Sequence, residues 1–207
     1  TPTPGTIGQG GSLYGDGGSS GGGGGSFGGG STTPSKPETP STDDNYTWEE
    51  TDDGYKLKDA DGEYVTGWAK VSGKWYYLNT DGIRTTGWQK VDGKWYYLTG
   101  SGAMATGWQK VNEKWYYLSG SGAMATGWRQ VDGKWYYLNS DGAMAIGWKK
   151  VGNKWYYLSP SGAMAIGWWK VNGNWYYLNG DGSMATNTTV DGIRLNGQGA
   201  AAREPGV

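Results

Sequence analysis

The sequence predicts an all-β protein, a β-solenoid of tandem two-stranded hairpins preceded by a disordered linker. Three observations carry this. The dipeptide Gly-Trp recurs every twenty residues, at Trp68, Trp88, Trp108, Trp128, Trp148 and Trp168. The string Trp-Tyr-Tyr-Leu recurs in step, from Trp75, Trp95, Trp115, Trp135, Trp155 and Trp175. Between the two strings lie two residues such as Asp92-Gly93, Asp132-Gly133 or Asn172-Gly173, the strongest short-range hairpin signal, because both positions need positive φ. Self-similarity at a fixed period marks a repeat architecture.

In chain order, residues 1–45 come first. Thr1-Pro2-Thr3-Pro4, the run Gly21 to Gly25 and the proline-containing stretch Ser31 to Thr42 are low complexity. Such a segment cannot bury enough apolar surface to offset its ordering entropy, and it reads as a flexible linker, Gly/Ser-rich first and stiffer near the array. Residues 46–66 read as a worn first repeat, in which Trp48 and Tyr55 keep the spacing of Trp68 and Trp75. Residues 67–186 hold six full repeats. Residues 187–207 read as a terminal cap, with a hairpin-like Val190-Asp191-Gly192-Ile193, and a loose tail. The chain opens on Thr1 with no basic-then-apolar leader and reads as a piece of something longer.

Within a repeat, the two-residue turn fixes the register. Val71 pairs with Lys74, Lys70 with Trp75 and Trp68 with Tyr77. Directly paired residues share a face, and faces alternate along a strand. Trp68, Lys70, Trp75 and Tyr77 therefore share one face, and Val71, Tyr76 and Leu78 the other. The second face suits inward packing; the first suits a ligand. Asn112-Glu113 and Gly152-Asn153 depart from the turn pattern, and Glu113 predicts a strained turn. A lone hairpin is marginal in water, so stacking has to stabilise the copies.

Composition excludes whole classes of chemistry. Cys and His are both absent, which removes thiol nucleophiles, Ser-His triads and most zinc and iron ligand sets. No cofactor is expected. The net charge of -1 gives no long-range pull on nucleic acid, and no run of about eighteen apolar residues predicts a membrane span. Carboxylate pairs alone can hydrolyse glycosides. However, Asp81, Asp92, Asp132, Asp141 and Asp181 occupy turns and linkers, where Asp has a local backbone role. The array is read as non-catalytic, with any catalysis in a missing N-terminal domain.

The aromatic complement is 14 Trp and 16 Tyr against one Phe, Phe27. Rings with an apolar body and a polar tip suit half-exposed surfaces. Two Trp and a Tyr around a gap make a cage for a cation, and a quaternary ammonium such as choline, with no N–H to satisfy, suits it best. The bland alternative is that the rings are only glue between hairpins. Against it, neither Trp position ever drifts to Phe, Leu or Ile, and a second apolar set already exists to pack. The methionines of the Gly-Ala-Met-Ala linkers have two equal readings, pocket wall or gap-filler. The periodic Lys74, Lys94, Lys114, Lys134 and Lys154 read better as solubilising surface charge than as phosphate partners.

The motif Gly-Trp-x-x-Val-x-Gly-x-Trp-Tyr-Tyr-Leu-x-x-x-Gly-x-Met closely resembles the choline-binding repeat of Gram-positive surface proteins, autolysins and phage endolysins, over residues 46–186. The resemblance implies a left-handed solenoid whose sites lie between consecutive hairpins and hold the choline or phosphocholine of cell-wall teichoic and lipoteichoic acids. It implies an extracellular, wall-associated protein. Each implied site uses two Trp from one hairpin, a Tyr from the next and a Met wall. These would be Trp68, Trp75 and Tyr97; Trp88, Trp95 and Tyr117; Trp108, Trp115 and Tyr137; Trp128, Trp135 and Tyr157; and Trp148, Trp155 and Tyr177. Met104, Met124, Met144 and Met164 would line four of them, and the first would have Ile83 where Met is expected. The second Tyr of each pair follows from the face assignment, with the first as fallback. Trp168 and Trp175 lack a following aromatic hairpin, and Trp48, Tyr55 and Tyr77 suggest a weak extra site. Oligomeric state stays open, although choline-linked dimers occur among similar modules. The rival reading is a glucan-binding array of a secreted protein; similar glucan-binding repeats usually favour Phe where this chain has Leu.

Overall fold

The structure, a computed structural model, describes residues 46–206; the linker expected over residues 1–45 lies outside them. The described residues contain strands and no helix, so none is long and apolar enough to cross a membrane. The strands form eight antiparallel hairpins, each its own two-stranded sheet. Six are full repeats: Gly67–Val71 with Lys74–Leu78, Gly87–Val91 with Lys94–Leu98, Gly107–Val111 with Lys114–Leu118, Gly127–Val131 with Lys134–Leu138, Gly147–Val151 with Lys154–Leu158, and Gly167–Val171 with Asn174–Leu178. They are flanked by the hairpin of Thr47–Thr51 with Gly54–Lys58 and a short one of Thr189–Val190 with Ile193–Arg194.

The register is the one the two-residue turns dictate. Val71 pairs with Lys74, Lys70 with Trp75 and Trp68 with Tyr77, and the other full repeats copy this. Both turn residues adopt the left-handed conformation, as at Asp92 (φ 49°) followed by Gly93 (φ 77°), except at Gly152-Asn153, where Gly152 alone does (φ 59°). Glu113 is held there too, at φ 63°, a conformation that costs a side chain with a Cβ and suits Gly. Its carboxylate receives a 2.6 Å hydrogen bond from Lys110. That bond also draws the carboxyl below its usual range.

After each hairpin the chain turns and runs back as a third segment. In the repeat ending at Leu98, the amide of Gly102 donates to Thr99 O (2.8 Å) and that of Thr99 to Ala103 O (2.8 Å). The next two amides then split. Met104 N–H donates to Trp75 O of the preceding hairpin (2.7 Å), and Ala105 N–H to Tyr97 O of its own (2.8 Å). The same alternation recurs at Met124 and Ala125, at Met164 and Ala165, and at Met184 and Ala185. This segment ties neighbouring repeats together through backbone, independently of side-chain identity.

The residues fall into two compact units, one of 46–126 with 140–143 and one of 127–139 with 144–206. Within each, stacking buries one Leu per repeat completely: Leu57, Leu78, Leu98 and Leu118 in the first, Leu138, Leu158, Leu178 and Leu195 in the second, all 0% exposed. In the first unit, Trp68 packs with Val91, Tyr96 and Leu98. Trp68 belongs to one face of its hairpin, and the other three belong to the opposite face of the next. The two faces therefore do not divide into an inner and an outer one. The ligand-type face of one hairpin meets the packing-type face of its successor.

Relieving the left-handed turn at Glu113 offers a check on this backbone. Glu113→Gly should raise the midpoint of thermal unfolding by about 2–4 °C despite loss of an exposed ion pair, measured by circular dichroism at neutral pH.

Candidate functional site

The first and second Trp of a repeat lie on one face, offset diagonally across the hairpin. Their rings meet nearly at right angles, giving a corner. Trp68 and Trp75 are 6.4 Å apart at 88°, Trp88 and Trp95 6.4 Å at 89°, Trp108 and Trp115 6.4 Å at 89°, and Trp128 and Trp135 6.5 Å at 83°. Among the inner Trp, Trp68 is buried at 7% exposure. Of the outer ones, Trp95, Trp115 and Trp155 are exposed at 41%, 42% and 43%, while Trp75, Trp135 and Trp175 are half-buried.

The ring that closes the corner differs from the one the face assignment selects. Trp68 meets Tyr96 at 4.8 Å, Trp88 meets Tyr116 at 4.9 Å, Trp128 meets Tyr156 at 4.9 Å and Trp148 meets Tyr176 at 4.8 Å, all edge-to-face. The first Tyr of the next hairpin crosses the gap. The second Tyr stays within its own hairpin: Tyr97 lies 5.1 Å from Trp88, Tyr117 5.1 Å from Trp108, Tyr137 5.2 Å from Trp128, Tyr157 5.2 Å from Trp148 and Tyr177 5.2 Å from Trp168. Each of these five therefore buttresses a Trp of its own repeat. The cause is the stacking described above, which turns the Tyr96 face, and not the Tyr97 face, toward Trp68.

Methionine shifts by one repeat in the same way. The Met104 amide bonds to Trp75 O and its side chain packs beside Trp68 and Tyr96, so Met104 belongs to the first corner and Met124 to the Trp88–Trp95 corner. Met164 is tied to Trp135 and Met184 to Trp155. Met144 pairs by backbone bridge with Leu138. Met184, which the site assignment omits, thus completes the Trp148–Trp155–Tyr176 set; its place in the repeat was the available signal. A glycine lies under each Met: a Cβ at Gly122 would collide with Met104 Sδ, and at Gly142 with Met124 Sδ. The position equivalent to Met in the first linker is Arg84, not Ile83. Ile83 O accepts from Asn79 as Ala103 O does from Thr99, and Arg84 N–H donates to Tyr55 O as Met104 N–H does to Trp75 O.

Two of these gaps are open pockets. One, of about 340 Å³, is lined by Trp88, Trp95, Tyr116, Met124, Ser140 and Asp141. The other, of about 530 Å³, is lined by residues that include Trp148, Trp155, Tyr176 and Met184. Burial, reinforced by the Asp92 carboxylate, pushes the Tyr96 phenol above its usual range. Burial and then Asp181 do the same to Tyr156. The periodic lysines are partly engaged: Lys154 Nζ lies 3.0 Å from Asp181 and Lys114 Nζ 3.7 Å from Asp141. The hydrogen bond to Asp181 raises the Lys154 ammonium pKa.

The last Trp pair faces acids in place of rings. Trp168 Nε1 donates to Asp191 Oδ2 (2.9 Å) and Trp175 Nε1 to Glu204 Oε1 (3.2 Å). At the other end, Trp48 meets Tyr76 at 5.1 Å, while Tyr77 lies 5.1 Å from Trp68. The described residues contain no group of three or more His, Cys, Asp or Glu able to hold a metal ion.

Hairpins in tandem with two Trp and a Tyr brought together in a gap, as at Trp88, Trp95 and Tyr116, define an aromatic-corner repeat module, and comparison with known proteins gives its family. The family model described as choline-binding repeat matches residues 65–107, 105–146 and 145–189, and the chain belongs to that family. It is similar to choline binding protein F of Streptococcus pneumoniae, at 44% identity and a TM-score of 0.72 over 75% of this chain and 57% of that one. It is also similar to CbpJ of the same species, at 45% identity and a TM-score of 0.71 over 75% and 57%. The autolysin LytC of S. pneumoniae matches at 29% identity and a TM-score of 0.50 over 77% of this chain and 42% of that one. The chain thus spans little more than half the length of the nearer of these proteins. No curated protein sequence matches.

The two tyrosines of a repeat can be told apart by titrating choline against the Trp88 and Trp95 indole N–H resonances. Tyr116→Ala should weaken binding at that pair by about tenfold. Tyr117→Ala should leave that pair's affinity unchanged and perturb Trp108.

Proposed function

We propose that the chain is a non-catalytic cell-wall attachment module that holds the choline of phosphocholine-bearing teichoic acids in the gaps between consecutive hairpins. Each site takes two Trp from one hairpin, the first Tyr of the next, and the Met tied by backbone to the second Trp. The observation that carries this reading is the repeated corner of perpendicular indoles closed edge-on by a tyrosine. A round, desolvated cation can touch three ring faces there at once. The rival glucan reading is less well served, since a flat sugar stacks on one ring and gains little from a second at 89°.

Membership of the choline-binding repeat family supports the ligand. The similarity to pneumococcal choline-binding proteins supports an extracellular, wall-associated place. Three cation–π contacts of roughly 0.5–2 kcal/mol each amount to about 4 kcal/mol, which corresponds to a dissociation constant of order 1 mM. One such site is a poor anchor, but several on one polymer gain about 10²–10⁴ in avidity. The repetition then has a physical purpose.

Choline titration followed by tryptophan fluorescence should give a saturable change at millimolar concentration, reduced by the double variant Trp88→Ala and Trp95→Ala. Dextran should give none. A response to dextran with silence toward choline would sink the proposal. Choline affinity should also stay flat between about pH 5 and pH 9, because the chain has no His and ordinary carboxyl and phenol groups titrate outside that range. Burial of Tyr96 and Tyr156 moves their ionisation still higher.

A further inference from the structure

The first inter-hairpin gap has the geometry of a cage and a different occupant. Its four positions, each twenty residues before those of the Trp68 gap, are Trp48, Tyr55, Tyr76 and Arg84. Trp48 and Tyr76 make the same edge-to-face contact as Trp68 and Tyr96, at 5.1 Å against 4.8 Å. Tyr55 takes the place of the outer Trp, and its carbonyl accepts from the Arg84 amide as Trp75 O accepts from Met104. Arg84 runs over Gly102 as Met104 runs over Gly122. Unlike Met, it carries a cation at its tip. The guanidinium carbon lies 4.4 Å from the Tyr55 ring centre and 5.6 Å from that of Trp48. Arg84 Nε is buried with no hydrogen-bond partner among the described residues, so the rings are the partners that the head of this side chain has been given.

We propose that this gap is a choline-type cage closed from within: Arg84 supplies the cation that a ligand supplies elsewhere, and the gap takes no quaternary ammonium. A guanidinium is planar, weakly hydrated and stacks well on aromatic faces. Being tethered, it loses no translational freedom on entering, and its effective concentration exceeds that of a millimolar free ligand. Ligand binding then begins at the Trp68 pair. The hairpin of Thr47–Thr51 and Gly54–Lys58 is joined to the array without needing ligand. The gap is also latent, because one substitution restores the Met found in the same position of the other linkers.

This inference rests on the choline reading of the other gaps, and one experiment separates the two. The intact chain and its Arg84→Met variant would be titrated with choline by calorimetry, with the indole N–H resonances followed in parallel. In the unsubstituted chain, Trp88 and Trp95 should respond while Trp48 stays silent. In Arg84→Met, one further choline should bind per chain and Trp48 should respond. A choline-dependent shift of Trp48 in the unsubstituted chain, equal to that of Trp88, overturns the closed gap and leaves the choline reading intact. So does a variant with unaltered circular dichroism, unchanged stoichiometry and a silent Trp48. If Arg84→Met fails to fold, Arg84→Gln, which keeps length and polarity but removes the charge, replaces it with the same expectation for Trp48. Silence of every indole toward choline overturns the choline reading itself, and with it the closed gap.

Discussion

The edge-to-face contact between the inner Trp of one hairpin and the first Tyr of the next is the interaction on which the rest of the structure depends. A two-stranded hairpin has no third strand and no core of its own, so it cannot stand alone. Each one here is completed by its neighbour. The contact measures 4.8–4.9 Å at four gaps, and rings so placed add about 0.5–1.5 kcal/mol beyond the area they bury. The completely buried Leu of each repeat supplies the apolar floor beneath it. The same contact fixes one wall of the cage. The ring that holds the stack together is therefore also a ring the ligand would touch, and the distinction between glue and binding surface does not survive in this architecture.

Much of the fold was legible because its rules are local. A two-residue turn sets the register, and every full repeat obeys it. The strict recurrence of two Trp marked the corner. What could not be read locally was how one repeat meets the next. Treated as an isolated sheet, the hairpin has an inner face of Val71, Tyr76 and Leu78 and an outer face of Trp68, Trp75 and Tyr77, and Tyr97 becomes the natural third ring. Stacking brings opposite faces together, which exchanges Tyr97 for Tyr96. It also carries the Met104, Met124, Met164 and Met184 segments back to the preceding hairpin, so that Met104 serves the Trp68 pair and Met184 the Trp148 pair. Both differences follow from how neighbouring hairpins stack, which periodicity does not encode: the face a hairpin presents to its neighbour is not a property of one repeat, and shifting the Met partner by a whole repeat leaves the pattern unchanged.

The two flanking gaps show what the corner requires when it is not left for a ligand. The hairpin within residues 187–206 carries no aromatic residue, and the indole N–H groups of Trp168 and Trp175 find acids there. Asp191 and Glu204 take those two protons, with Lys170 placed 3.6 Å from Glu204 to offset its charge. At the other end Arg84 lies over the ring faces of Trp48 and Tyr55, whose quadrupole favours a cation. An edge is capped by an acceptor and a face by a cation. The inner gaps have Met, which is polarizable and uncharged, in place of Arg84; Lys90 Nζ lies 5.9 Å from the Trp95 ring centre, and the pocket beside Trp88 and Trp95 stays open. A tethered guanidinium in the first gap and an uncharged Met over an open pocket beside Trp88 and Trp95 make the contrast that assigns the inner gaps, rather than the first one, to a mobile cation.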